Sequence, residues 1–280
     1  MKCLLSIAGF DASSGAGVVR DVDTFFSFGF HGIAVPTCMV VQGPGGVERV
    51  EESEEQLFHD TLRAATAGVA VKAIKIGVLC SEAHVRATAR FLARRKGAPV
   101  VLDPVFSAKN GVPLITEEGR AACIGTLFEK VAVLTPNAEE ASAITGAKVG
   151  TVKAAKKAAE AIHSLGPRAV VIKGGHLEGD PVDVLFDGRE FLLYRKTRLP
   201  RLIHGTGCSF SSTLACFLAT GYPLADAFMG TQGHLEKLFE SSYRIDRKGQ
   251  FYVSSATGGA FRFIGRRNKI QGTQGKCRRT

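Results

Sequence analysis

The sequence predicts an α/β fold of three layers, αβα, around a mostly parallel central sheet. Three observations predict it. Short runs rich in Val, Ile and Leu are apolar throughout rather than alternating, which marks strands buried on both faces. Longer segments of helical length separate them, so strand and helix alternate along the chain. Polar and glycine-rich residues follow nearly every run, and sheets of this kind bind ligands beyond the carboxyl ends of their strands.

Taken in order, the first strand is expected over 3–8 and ends at Gly9-Phe10-Asp11. The cluster Gly15-Ala16-Gly17 opens a helix over 15–29. A second strand, 32–41, runs into Gln42-Gly43. Helix 54–68 leads to strand 73–79, and helix 82–96 to strand 99–102, which ends at Asp103-Pro104-Val105. Helix 117–128 precedes strand 131–134, which ends at Thr135-Pro136-Asn137. Helices 137–146 and 151–165 follow, then strand 169–172 with Lys173-Gly174-Gly175-His176 at its exit. Strands 182–186 and 190–195 and helices 206–220 and 223–240 complete the pattern. With no repeat and no linker, residues 1–255 read as one domain and 256–280 as a basic, flexible tail.

The formal net charge is +10, which raises the question of a nucleic-acid partner. Residues 261–280 hold seven Lys and Arg and no acid, leaving +3 for the rest. The charge therefore marks the tail, not the domain, and nucleic acid is not the expected partner. The seven cysteines form no C-x-x-C pair, a pattern of reduced intracellular thiols rather than of a disulfide framework. The opening MKCLLSIAG is too short for a secretory leader, and no stretch is long enough to span a membrane. A cytoplasmic protein is expected.

The sharpest motif is His204-Gly205-Thr206-Gly207-Cys208, followed by small and apolar residues suited to a buried helix. Glycines before a helix let backbone N–H groups approach an anion closely. Cys208 falls in the first turn, where the helix dipole favours a thiolate able to take a proton from a hydroxyl. An ordinary glycine turn opening a core helix reads equally well from these residues. Asn137 and Glu140 lie one helical turn apart and suit Mg²⁺, or form the reciprocal N-terminal cap of a helix. Lys173, at a strand exit before two glycines, can bridge phosphates or simply meet solvent. Asp103 can orient the metal or cap a turn. The Gln42 carboxamide offers a donor and an acceptor side by side, matching an amino group and adjacent ring nitrogen of an aminopyrimidine. The first glycine cluster lacks both G-x-G-x-x-G and G-x-x-x-x-G-K-[ST], which disfavours a dinucleotide-binding dehydrogenase.

These pieces keep a specific order. Ser6-Ile7-Ala8-Gly9, Asp11, Ser14-Gly15-Ala16-Gly17, Asp21, Gln42, Lys75-Ile76-Gly77, Leu102-Asp103-Pro104-Val105, Ala108-Lys109, Thr135-Pro136-Asn137, Glu140, Lys173-Gly174-Gly175-His176 and the 204–208 motif follow one another between about residues 4 and 240. In this the chain resembles the hydroxymethylpyrimidine/phosphomethylpyrimidine kinases of thiamine biosynthesis, within the ribokinase-like superfamily. The resemblance implies ATP and Mg²⁺ as cofactors, a small-molecule pyrimidine as substrate, and a homodimer. It implies Cys208 as general base within an anion hole of Gly205, Thr206 and Gly207, and Lys173 on the ATP phosphates. Asp103, Asn137 and Glu140 would serve the metal. Gln42 would read the pyrimidine edge, with Gly9, Ala16, Asp21, Val40, Val78 and Val105 around it. Val18-Val19-Arg20, Gly43-Pro44 and Leu202-Ile203 depart from the family's usual pattern. Two other readings stand beside this one: a pyridoxal kinase on the same scaffold, and a non-catalytic pyrimidine sensor whose basic tail contacts nucleic acid.

Overall fold

The computed structural model describes residues 1–43, 46–95, 97–198, 203–244, 251–253 and 278–279. Most of the expected tail, 256–277 and Thr280, lies outside the described residues. The strands are β1 (Cys3–Asp11), β2 (His31–Gly43), β3 (Gly46–Glu52), β4 (Val71–Ile76), β5 (Val100–Leu102), β6 (Val133–Leu134), β7 (Val170–Ile172), β8 (Val182–Phe186), β9 (Phe191–Arg195), β10 (Ile203–His204), β11 (Tyr243–Arg244), β12 (Phe251–Tyr252) and β13 (Arg278–Arg279). The helices are α1 (Gly17–Ser27), α2 (Glu55–Thr66), α3 (Glu82–Ala93), α4 (Glu117–Ala122), α5 (Ala138–Thr145), α6 (Val152–His163), α7 (Thr206–Ala219) and α8 (Leu224–Glu240).

Ten strands form one sheet in the order β13-β9-β8-β7-β6-β5-β4-β1-β2-β3. The central pairings, from β2 through β1, β4, β5 and β6 to β7, are parallel. Antiparallel strands close both sides: β3 on β2, and β8 and β9 beyond β7.

Because successive strand residues point to opposite faces, the apolar runs feed two cores at once. Leu5, Ile7, Ile74, Val100, Leu102 and Ile172 pack with side chains of α2, α3, α5 and α6. Their neighbours Leu4, Ala73, Val101 and Val171 pack with α1, α7 and α8. This division produces the three layers.

Three elements depart from the expected pattern. β3 carries Glu48, Arg49, Glu51 and Glu52 around the partly or fully buried Val47 and Val50. An edge strand tolerates such charge, so no apolar run announces it. The helix expected over 117–128 changes geometry after Ala122, passing into a π turn at Cys123–Leu127 and a 3₁₀ turn at Phe128–Lys130. A second, three-stranded sheet joins β10, β12 and β11, and Val253 just after it is fully buried.

Candidate active site

The sheet positions the site through its order. β1 leads to β2 on one side while β4 and the later parallel strands lie on its other side, and a crevice opens where the direction of winding reverses. A cavity of about 880 Å³ lies there. All the predicted site residues line it except Asp21.

Gly9, Ala16, Val40, Val78 and Val105 line the cavity together with Gln42. A Cβ on Gly9 would stand 3.0 Å from Cys38 Sγ and 3.1 Å from a Val40 methyl, so the floor is packed tight beneath any ring placed on it. Gln42 hydrogen-bonds the Asp11 carboxylate through its side chain. That bond takes one amide N–H and leaves the carbonyl and the second N–H for a ligand. Asp11 also accepts from Ser13 N and Oγ (2.8 and 2.9 Å), from Ala16 N (2.8 Å), and pairs with His204 Nε2 at 3.1 Å. Burial alone would raise its pKa, but the His204, Gln42 and Ser13 bonds prevail and hold it at about 2. Tyr252 packs edge-on against His204, which brings the small sheet to the cavity mouth.

The turn into α7 lines the cavity as well. Gly205 has φ +76°, and a Cβ there would fall 1.7 Å from Gly15 O. Only glycine fits, so the first glycine cluster and the 204–208 turn are locked face to face. No side chain caps α7 at Gly205, so the first-turn N–H groups have no side-chain partner there, and residues 205–208 line the cavity. A Cβ on Gly207 would lie 3.3 Å from both Asp103 Oδ2 and Lys173 Nζ. Lys173 Nζ is 2.5 Å from Asp103 Oδ1, so a carboxylate-held ammonium flanks the turn. Burial lowers the Lys173 pKa, but Asp103 and Glu140 together raise it above the ordinary value; it is a fixed cation.

Cys208 is partly exposed to the cavity, and the Gly17 N–H donates to its sulfur. Here the expectation from the helix dipole is corrected. Burial is the largest influence and pushes the thiol up; Lys75 opposes it, Asp21 and Asp103 add to it, and the net direction is upward.

Asn137 and Glu140 form the reciprocal cap: Asn137 Oδ1 accepts from Glu140 N at 2.8 Å, and Glu140 Oε2 accepts from Asn137 N at 2.7 Å. Each still lines the cavity. Burial, with a smaller push from Asp103, lifts Glu140 to about 8 against the pull of Lys173. Asp103, expected near a metal, lines the cavity too, and its Oδ1 accepts from Lys173 and from the Thr135 hydroxyl at 3.2 Å. Among the described residues no group of three or more His, Cys, Asp or Glu is placed to hold a metal by itself.

Asp21 is the other correction. It is fully buried and accepts from Ser6 Oγ (2.6 Å), Ser212 Oγ (2.6 Å) and Lys75 Nζ (2.8 Å). It contributes nothing to the cavity wall. Sequence reasoning also gave no role to Lys75 or to the Asp11–His204 pair. A lysine inside the apolar run VKAIKIGV was the available signal for the first.

Lys196, Thr197, Arg198, Leu235 and Phe239 also line the cavity. Lys196 pairs with Asp183 at 2.5 Å, and Gln232 donates to the same carboxylate. Arg198 reaches the carbonyls of Gly175, Leu177 and Gly179, each at 2.9 Å, and ties this segment to the loop after Lys173.

Comparison with known proteins places these features in a lineage. The chain is 36% identical over 245 residues to a hydroxymethylpyrimidine/phosphomethylpyrimidine kinase of Aquifex aeolicus, covering 87% of this chain and 96% of that one. A solved phosphomethylpyrimidine kinase from Clostridium difficile superposes with a TM-score of 0.76 at 31% identity, over 85% of this chain and all of the other. The pyridoxal kinase from Staphylococcus aureus in complex with ADP superposes with a TM-score of 0.85 at 26% identity, over 100% of this chain and 99% of that one. A family model described as phosphomethylpyrimidine kinase matches residues 11–253, and the chain belongs to that family.

Proposed function

We propose that the protein transfers the γ-phosphoryl group of ATP to the hydroxymethyl group of 4-amino-5-hydroxymethyl-2-methylpyrimidine, and then phosphorylates the monophosphate. The observation that supports it is the meeting, in one cavity, of Gln42 with the tightly packed Gly9 and Val40, the open turn 205–208, and the Lys173–Asp103 pair. Gln42, oriented by Asp11, reads the amino group and ring nitrogen. Val40 and Val78 hold the ring by contact. The part lined by Arg198 and Phe239 receives the nucleotide. The hydroxyl proton passes to Cys208 Sγ as the oxygen bonds to γ-phosphorus, and the β–γ bridging oxygen leaves with its electron pair on ADP. N–H groups of the turn and the Lys173 ammonium face the charge that develops on the phosphoryl oxygens, a preorganised stabilisation that phosphoryl transfer depends on.

Mg²⁺ fits the residues present. The Glu140 carboxyl is buried, sits at the cavity wall, and keeps an oxygen beyond the one spent on the helix cap. Glu140 and Asn137 would hold the ion with phosphate oxygens completing its shell. When bound, the ion neutralises phosphate charge. The same reading extends to a cytoplasmic homodimer, in keeping with the free thiols of the described cysteines; light scattering of the purified chain tests the dimer.

The substrate assignment is tested by ATP consumption with the pyrimidine alcohol, with pyridoxal, and with neither. Turnover with the pyrimidine is expected; turnover with pyridoxal alone would assign the cavity to pyridoxal.

A further inference from the structure

Lys75 lies on β4, and its side chain and that of Asp21 on α1 are wholly buried and 2.8 Å apart. Replacing such a pair by apolar residues is often neutral or stabilising, so stability alone does not account for it. Its position does. Ser212, which donates to Asp21 Oδ1 at 2.6 Å, follows Cys208 by four residues on α7, and residues so spaced share a helix face. Lys75 itself reaches the cavity wall, and a Cβ on Gly77 would stand 3.0 Å from its Nζ. Asp21, itself held by Ser6 and Ser212, thus fixes the ammonium at a wall of the cavity that Cys208 also lines.

We propose that Lys75 is a positioning residue for phosphoryl transfer: its ammonium, anchored by Asp21, is the counter-charge that lets Cys208 ionise within the cavity. The inference rests on the reading of Cys208 as the base. Among the groups that face the thiol, Lys75 opposes burial most strongly, with the Gly17 N–H adding to it. Asp21 on α1 and Asp103 beyond β5 act in the opposite sense, and Lys173 beyond β7 also feels the sulfur. Burial notwithstanding, Asp21, then Cys208 and Asp103, hold Lys75 above its ordinary pKa, so it keeps its proton while Sγ receives that of the substrate.

The test is the pH dependence of Cys208 alkylation by iodoacetamide, with the modified peptide mapped by mass spectrometry because other cysteines are present. K75M should slow alkylation of Cys208 at pH 8 about tenfold or more, the effect of a one-unit shift. It should lower kcat by a similar factor with little change in pyrimidine KM. If K75M does not fold, K75M/D21N removes both charges and shifts the profile the same way, because Lys75 acts on the thiol more strongly than Asp21. A folded variant of either kind whose alkylation profile superimposes on that of the unaltered protein overturns the proposal. That outcome leaves the base reading intact if C208A is inactive. Conversely, C208A with full kcat removes the base and leaves the alkylation result standing.

Discussion

Replacing Cys208 by alanine removes the thiol that accepts from the Gly17 N–H and feels the charge of the buried Lys75 ammonium. The change leaves the rest of the machinery in place: the open α7 turn is backbone, and Lys173 stays fixed by Asp103. What is lost is the proton acceptor. General-base catalysis contributes about 10²–10⁴-fold, equivalent to about 3–5 kcal/mol of barrier, so kcat should fall by a factor in that range while pyrimidine KM changes little. The pH dependence supplies a second check. The acting form is the thiolate, and burial raises the thiol pKa above the usual value. In the unaltered protein kcat should therefore climb with pH through and beyond about 8.5, the ordinary thiol midpoint, and Cys208→Ala should flatten that rise. Steady-state assays from pH 6 to 10, with product quantified by chromatography, measure both. A Cys208→Ala protein with near-normal kcat and an unchanged pH profile would refute the argument and leave the glycine turn as an anion hole only.

Gln42→Leu should raise pyrimidine KM by the loss of about 1–3 kcal/mol when a buried ring donor and acceptor lose their partners; an unchanged KM takes Gln42 out of the site. Glu140→Gln should raise the Mg²⁺ concentration needed for half-maximal rate, and Lys173→Ala should lower kcat; a Glu140→Gln protein that only melts earlier, at full activity, would leave Glu140 as a helix cap. Because Glu140 titrates near 8 without a cation, it is largely protonated at pH 7, and binding of MgATP should release a proton, detectable by calorimetry in buffers of differing ionisation enthalpy. Gly205→Ala places a Cβ 1.7 Å from Gly15 O and should yield little folded protein; a normal melting temperature would contradict the locked turn. Truncation after residue 255 should preserve activity if 1–255 is the catalytic unit.

What the sequence discloses and what it hides divide along physical lines. The central strands were legible because double-sided burial leaves an apolar run, as at Val170–Ile172. β3 was not, since an exposed edge needs only Val47 and Val50 inward and can spend its other positions on charge. The two-residue strands β10 and β12 are too short to leave any periodicity. In the site, Gly9, Gln42, Asp103, Asn137 and Lys173 were legible because the chain places them at strand exits. Asp21 was misassigned because its three partners come from β1, β4 and α7, a non-local arrangement that spacing cannot reveal. The direction of the Cys208 shift failed for the same reason: the helix dipole is local and visible in sequence, whereas burial is not.

On this reading, the cavity phosphorylates a hydroxymethylpyrimidine from ATP. A mass-spectrometric time course of purified protein with MgATP and the pyrimidine alcohol tests it most directly. The monophosphate should accumulate first and the diphosphate follow, each matched by ADP. ATP left intact in the presence of the pyrimidine, or phosphate appearing only on pyridoxal in a parallel reaction, would contradict it.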